Sequence, residues 1–354
     1  MKQNSEKVAK QARIGLVGCG TVGRGVVELL HEKRAYLKEK YGFVFEVCLI
    51  SDYVRGTLVS QSGLDLAKVV ASLAAGGNLH AVDGVRKEPS PLDGLLGEAQ
   101  PDLLCDCTPT NYETGQPSLG ILEIALKHGI NAVTCSKGGI GKDLVGLRRL
   151  AAGKGVSLRY ESSVLSGTPL ISLVRGPLAG CELLGVEGIV NGTTNFILTK
   201  MAEGMGYAEA LAEAQRLGYA ETDPTGDVEG FDAAVKVAIM AAEFFDTPIK
   251  VSEVRRTGIS GVTAEDVKKA AAGGRRIKLV AGIEKKDGKV GGFVEPRALD
   301  TDHPLAGVHG ATNAVCLRTD NLGEVTIIGP GAGAIETAQG ILSDILDIAG
   351  VTCR

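Results

Sequence analysis

With 354 residues, 44% of them hydrophobic and 23% charged, the chain is long for one core and comfortable for two packed domains. A net charge of -4 argues against the basic stripe of a nucleic-acid surface, and 4% aromatics with no Trp leave no base-stacking platform. No Lys/Arg run marks a membrane patch, and no apolar stretch approaches the ~18 residues that span a bilayer.

Met1 to Ala12 is polar and Lys-rich, with no apolar segment behind it, and reads as a disordered tail and not a signal peptide. Arg13–Val17 then forms a short apolar strand. Gly18-Cys19-Gly20-Thr21-Val22-Gly23 follows at once, and Arg24 to about Lys40 carries a helical apolar face through Val26, Val27, Leu29, Leu30 and Tyr36. Val44–Ile50 is a second strand, ending in Ser51-Asp52. Further strands are predicted at Leu103–Cys107, Ala132–Cys135 and Val156–Tyr160, with helices at Pro117–His128 and Lys142–Ala152 between them. Alternation of this kind predicts an α/β fold with a parallel sheet covered on both faces.

After Tyr160 the rhythm changes. Helices at Tyr207–Leu217, Val228–Phe245 and Ala264–Ala271 mix with strands at Gly185–Val190, Arg276–Glu284, Gly291–Glu295, Ala314–Arg318 and Glu324–Ile328. This predicts a second, α+β domain with a mixed or antiparallel sheet. The expected boundaries are 13–160 for the first domain, completed by a C-terminal helix within 331–354, and 161–330 for the second.

G-x-G-x-x-G alone is weak evidence in a chain with 49 glycines. Here a strand precedes it and a helix follows, the context of a dinucleotide-binding Rossmann turn. Gly18 permits the tight turn, Gly20 lets backbone approach pyrophosphate, and Gly23 allows close helix–strand packing. The N–H groups of the helix start at Thr21 and Val22 face the phosphates. Asp52, at the end of the second strand, is placed to bond the adenosine ribose and favours NAD. Arg55 beside it suits the 2′-phosphate of NADP, so both coenzymes stay open. Thr108, after the strand ending at Cys107, and Lys137, after Ala132–Cys135, sit at carboxyl ends of strands, where such sheets bind ligands. A loop lysine is usually only solvated; the position over the cleft favours a role on a carboxylate or carbonyl.

The eight cysteines are scattered without a C-x-x-C pair, and the five histidines lack ligand spacing. Cys105 and Cys107 read as buried strand thiols, zinc is not expected, and free cysteines suggest a reducing cytoplasm.

The densest chemistry lies from Gly218 to Lys236. Five acids (Glu221, Asp223, Asp227, Glu229 and Asp232) gather before Lys236, which stands in an otherwise apolar helix. Asp232 and Lys236 are four apart and share a helix face. As a surface pair they would contribute only ~0.3–0.5 kcal/mol. Lys236 instead stands at the border of the stripe Val228, Phe231, Val235, Ala238 and Ala242. Partial desolvation there lowers a lysine toward a proton-donor range while Asp232 pulls it back.

These residues resemble the homoserine dehydrogenase family. The run Gly218 through Lys236 fits that family's signature, as do Asn191-Gly192-Thr193-Thr194-Asn195, His303-Pro304-Leu305-Ala306 and Gly329-Pro330-Gly331-Ala332-Gly333. The resemblance implies reversible hydride transfer between L-homoserine and L-aspartate 4-semialdehyde with NAD or NADP, on the route to threonine, methionine and isoleucine. It implies that Lys236 is the proton donor with Lys137 as partner, that Glu221, Asp227 and Asp232 hold substrate and orient Lys236, and that Thr108 and Gly333 touch the coenzyme. It also implies a monovalent cation, typically sodium, on Glu161 and the carbonyls of Val164, Ser166 and Thr168, although Leu165 and Ser166 stand where small residues are commoner. Oxygen donors suit such a hard ion. A homodimer paired through the second domain's sheet is expected, and a C-terminal regulatory domain is not. The competing readings are another Rossmann oxidoreductase on an amino-acid-derived alcohol or aldehyde, and a non-catalytic dinucleotide-binding regulator. An acylating dehydrogenase would need a nucleophilic cysteine, and Cys135 reads as buried strand. Cys353, near the C-terminus, reads as part of a frayed tail.

Overall fold

The computed structural model describes residues 10–286 and 289–351, and the chain divides into two compact units. One comprises residues up to Ser162 together with Gly333 onward; the other is Ser163–Ala332. Cys353 and residues before Lys10 lie outside the described part.

In the first unit the strands are β1 (Lys10–Val17), β2 (Phe43–Asp52), β3 (Gly56–Val59), β4 (Leu103–Asp106), β5 (Asn131–Thr134) and β6 (Leu158–Arg159). The helices are α1 (Thr21–Tyr41), α2 (Leu66–Gly76), α3 (Leu92–Ala99), α4 (Ser118–Lys127) and α5 (Lys137–Lys154). The sheet runs β3-β2-β1-β4-β5-β6, parallel except for β3, which pairs antiparallel with β2. Chain order reverses between β1 and β4, and that switch point opens at the carboxyl ends of the strands.

Two sequence expectations change here. Lys10–Ala12 is not tail but strand, because its backbone pairs in parallel with Phe43–Phe45, and ladder hydrogen bonds do not depend on side-chain polarity. The sheet is not purely parallel, because β3 returns beside β2 after a three-residue turn. α1 stops at Gly42, whose left-handed φ of 64° lets its N–H cap the Leu37 and Lys38 carbonyls. Lys38 and Lys40 in the last turn complement the helix dipole. Its apolar face joins Ile14, Leu16, Phe43, Phe45 and Ile341 in one core. That last residue belongs to α13 (Ala334–Ile348), which packs on α1 where Gly25 leaves room: a Cβ there would stand 2.7 Å from the Ala334 carbonyl oxygen.

Short helices α6 (Ser162–Leu165) and α7 (Ile171–Arg175) precede the second sheet. Its strands are β7 (Leu183–Ile189), β8 (Arg255–Arg256), β9 (Arg275–Lys286), β10 (Lys289–Asp300), β11 (Thr312–Thr319) and β12 (Gly323–Pro330), in the order β12-β11-β7-β9-β10-β8. All pairings are antiparallel except β10 with β8. Helices α8 (Gly192–Ala202), α9 (Tyr207–Arg216), α10 (Thr225–Val228), α11 (Phe231–Phe244) and α12 (Ala264–Ala272) complete the unit. α12 opens on a capping box between Thr263 and Asp266, which satisfies two donors at the helix start. The sequence joins α10 and α11 into one helix; the structure breaks them at Gly230, which adopts a φ of 76° that costs other residues strain. No helix among the described residues is long and apolar enough to cross a membrane.

Candidate active site

The first unit builds a cradle from its glycine turn. Gly18 takes a φ of 87°, and a Cβ there would lie 2.7 Å from the Cys107 carbonyl. A Cβ on Gly23 would lie 2.0 Å from the Gly18 oxygen, so both positions admit only glycine. Gly20 differs: its Cβ would meet nothing within 4 Å and would fill the open space before α1. Gly20 is also the N-cap of α1, with no side chain capping the helix and no acid in its first turn. The main-chain N–H groups at Thr21, Val22 and Gly23 therefore remain for an anion, with the helix dipole behind them. That donor set fits a pyrophosphate.

Asp52 ends β2 beside this turn. One oxygen accepts the Cys19 N–H at 2.7 Å, and the other accepts the Val54 and Arg55 N–H groups, each at 2.9 Å. Burial pushes its carboxyl up, but the backbone donors from Cys19, Arg55 and Val54 outweigh it and hold the group below the usual range. Asp52 thus clamps the glycine turn, a task the sequence reading did not give it, and its acceptor capacity for a ribose is correspondingly reduced. Arg55 approaches Asp52 to 3.6 Å, while its buried Nε has no hydrogen-bond partner.

Lys137 occupies the first turn of α5, its N–H held by the Thr110 hydroxyl at 3.2 Å. A cation at a helix N-terminus works against the dipole by ~0.3–1 kcal/mol. Thr108 is tied to Asp106, the fully buried last residue of β4, by both its N–H and its hydroxyl. The sequence offered no reason to single out Asp106, which looked like one polar residue between two strand thiols. Those thiols are buried as expected, and burial drives Cys105 and Cys107 well above the ordinary thiol range. For Cys107 the hydrogen bond with Cys135 is the larger cause. Raised thiols such as these are poor nucleophiles; Cys135, expected as buried strand, instead stands half-buried just past the end of β5, where the chain leaves the sheet for α5. Gly333 precedes α13 with a φ of 130°.

The second unit assembles its cluster around α11. Lys236 and Asp232 are each 6% exposed, so the pair is not at a surface border as the helical stripe implied. The reason is that α11 is buried on every side from Asp232 through Ala242, and Phe231 instead turns outward under the Arg256 guanidinium. Lys236 Nζ reaches Asp232 Oδ2 at 2.8 Å and donates to the Val190 carbonyl at 2.5 Å. Asn191 orders the acids: its Nδ2 donates to Asp227 Oδ1 at 2.7 Å and Asp232 Oδ2 at 3.0 Å. The Asn191 Oδ1 meanwhile caps α8 by accepting the Thr194 N–H. Burial, then the negative charge of Asp232, push the Asp227 carboxyl up. Sequence reasoning had Asn191 only as part of a motif; here it is the hub. Glu221 is exposed on the loop between α9 and α10 and stands outside this cluster. An exposed carboxylate is satisfied by water, so the fold does not force it inward.

In the 161–168 segment Glu161, Val164, Ser166 and Thr168 are all buried. Ser166 has a left-handed φ of 55°, and the Thr168 hydroxyl donates to the Pro330 carbonyl at 2.9 Å. Among the described residues no cluster of three or more His, Cys, Asp or Glu side chains could hold a metal ion.

Comparison with known proteins is consistent over the chain. The model of the homoserine dehydrogenase family matches residues 169–346, and that of the homoserine dehydrogenase NAD binding domain matches residues 18–161. The NAD(+)-dependent homoserine dehydrogenase of Pseudomonas canavaninivorans is 40% identical, over 95% of this chain and 96% of its own length. The homoserine dehydrogenase of Methanocaldococcus jannaschii is 39% identical, over 95% and 98%. A hyperthermophilic archaeal homoserine dehydrogenase in complex with NADPH superposes with a TM-score of 0.82 at 33% identity, covering 96% of this chain and 97% of that one. The crystal structure of a homoserine dehydrogenase from Thiobacillus denitrificans gives 0.81 at 31% identity, covering 96% and 73%.

Proposed function

The chain belongs to the homoserine dehydrogenase family, and from that membership we propose that Lys236 is its proton donor. The protein is an NAD(P)-dependent oxidoreductase that interconverts L-homoserine and L-aspartate 4-semialdehyde. The observation that carries the residue assignment is the buried Lys236–Asp232 pair, closed by Asn191 and the Val190 carbonyl.

The bound nicotinamide supplies the hydride to the aldehyde carbon, or takes it back from the alcohol. As the carbonyl oxygen gains negative charge, the Lys236 ammonium stabilises it and passes it a proton; in the reverse direction neutral Lys236 takes that proton away. Asp232 orients the lysine and restores its charge. Asp227, fixed by the same Asn191 amide, adds negative charge suited to the substrate ammonium, and Glu221 serves that group from the loop. Lys137 binds a substrate carboxylate or polarises its carbonyl. Burial of Lys236 and Asp232 keeps bulk water from competing for the proton.

Gly18, Gly20, Thr21, Val22 and Gly23 hold the pyrophosphate, with Thr108 and Gly333 as further coenzyme contacts. The Asp52 carboxylate supports NAD; Arg55 beside it is the group that would serve NADP. Sodium on the oxygen donors of the 161–168 segment is part of the same proposal, as is a homodimer paired through the second sheet. Leu184 and Ile328 support the latter, as large apolar residues exposed on β7 and β12. Light scattering after size exclusion decides the dimer. Homoserine-dependent reduction of NAD+ and NADP+ tests the whole reading, and purified protein inert with both would favour the non-catalytic regulator.

A further inference from the structure

Lys137 does not stand on one continuous helix. Asp143, with φ −150° and ψ 61°, breaks α5 after its opening turn. Its Oδ1 accepts the Gly146 N–H at 2.9 Å and so starts the helix afresh, as an N-cap does. Leu144, Leu147 and Ala151 are buried and anchor the longer part. Residues 137–142 are therefore a separate turn, able to shift without dragging the rest of α5 along.

That turn is seated in the 110–119 segment. The Thr110 hydroxyl accepts the Lys137 N–H at 3.2 Å, and Lys142 Nζ donates to the Glu113 carbonyl at 3.0 Å. Between these two tethers a pair of glycines lies against backbone. A Cβ on Gly138 would stand 3.0 Å from the Asn111 carbonyl oxygen and 3.3 Å from the Asn111 nitrogen. A Cβ on Gly139 would stand 2.8 Å from the Leu119 nitrogen, 2.9 Å from the Ser118 hydroxyl and 3.0 Å from the Leu119 Cα. Neither glycine has a positive φ, so the missing side chain serves close approach and not backbone conformation. Two adjacent glycines weaken a helical turn, and the close seating has to outweigh that loss.

What the glycines meet is held in place. Leu119 lies in the first turn of α4, whose Ile121 and Ala125 pack in one core with Leu96 and Leu104. The Ser118 hydroxyl is bound to Asp106, and Asn111 Oδ1 accepts the Glu113 and Thr114 N–H groups at 3.0 and 2.9 Å. A methyl group on either glycine therefore displaces the turn, and Lys137 with it, more readily than the wall. We infer that Gly138 and Gly139 are positioning residues for Lys137, seating its turn on the backbone at Asn111 and Leu119 and so fixing where the lysine meets substrate. This rests on reading Lys137 as a residue that touches substrate. A misplacement of about 1 Å at a reacting group costs on the order of 10²-fold in rate, and a methyl at 139 forces a fraction of that shift.

Homoserine oxidation tests this, read as kcat/KM for homoserine in wild type, Gly139→Ala, Lys137→Ala and the double variant. Slow variants are followed in single turnover, with enzyme in excess over coenzyme. Gly139→Ala should lower kcat/KM about tenfold in the wild-type background and less than twofold once Lys137 is gone, because it acts through that side chain. A Gly139→Ala value within about twofold of wild type, or equal losses in both backgrounds, overturns the inference. Gly153→Ala is the control on the same helix, where a Cβ meets nothing within 4 Å. It should leave the rate unchanged, and a loss there as large as at Gly139 overturns the inference too. Should Gly139→Ala not fold, Gly138→Ala, with its longer contacts, should show the same dependence on Lys137 with a loss of about threefold. An unmoved rate, or one that falls equally in both backgrounds, overturns it there as well. Lys137→Ala at the wild-type rate would instead remove the reading of Lys137 itself, and this inference with it.

Discussion

Replacing Asp232 by Asn keeps the shape of the side chain and removes one charge from a pair buried on both sides. The structure sets the magnitude: Nζ and Oδ2 are 2.8 Å apart, and the two side chains are 7% and 8% exposed. After the substitution the ammonium keeps the Val190 carbonyl and the neighbouring Asp227 charge but loses its nearest carboxylate, and breaking one member out of such a buried pair costs ~3–5 kcal/mol. For a domain of this size each ~1 kcal/mol lowers the melting temperature by ~2–4 °C, so a fall on the order of 10 °C is expected. Lys236→Met strands the other charge and should cost a similar amount. Asp232→Asn combined with Lys236→Met removes both charges of the pair together, so the double variant should be no less stable than either single, with a coupling of at least ~2 kcal/mol. Far-UV circular dichroism in urea is the assay, because the chain has no Trp to report unfolding. Single variants costing under ~1 kcal/mol, or costs that simply add, would refute a buried, mutually dependent pair.

The glycine turn predicts a contrast: Gly23→Ala should destabilise the fold, because its Cβ meets the Gly18 oxygen, whereas Gly20→Ala should fold normally and lose coenzyme affinity. Thermal melts and titration of NADH separate the two. Lys278, buried on β9 and donating to Asn195 Oδ1 and the Val308 carbonyl, is pushed by burial from 10.5 down to about 8. Between those values the unfolded chain holds a proton that the native state lacks, so this lysine makes stability rise with pH across that window, by ~3 kcal/mol at most. Urea midpoints from pH 8 to 10.5 should lose that slope in Lys278→Met. Lys137→Ala should lower kcat severely, and a rate near wild type would return Lys137 to the status of a solvated loop residue. Turnover in sodium against a tetramethylammonium control checks the cation, and an unchanged rate would remove it from the proposal.

What was legible in the sequence was local. α1 announced itself by its apolar face and β2 by its run to Asp52, because helix and strand periods are written in neighbouring residues. α8 was passed over: Thr193, Thr194 and Asn195 are poor helix formers, and the helix depends on the Asn191 cap and on packing that involves distant segments. β3 is a four-residue return whose pairing with β2 leaves little trace in composition. The spacing of Asp232 and Lys236 put them on one face, yet their burial depends on what covers α11, which no period reveals. Asp106 was hidden for the same reason, since Ser118 and Thr134 reach it from 12 and 28 residues away.

The central claim, that Lys236 moves the proton in a coenzyme-dependent oxidation of homoserine, meets its most direct test in one comparison. Wild type and Lys236→Ala are assayed for homoserine oxidation at alkaline pH with NAD+ and with NADP+, while the coenzyme Kd is measured for both proteins. Turnover should vanish in the variant with the coenzyme Kd essentially unchanged. Turnover within a few-fold of wild type would contradict it.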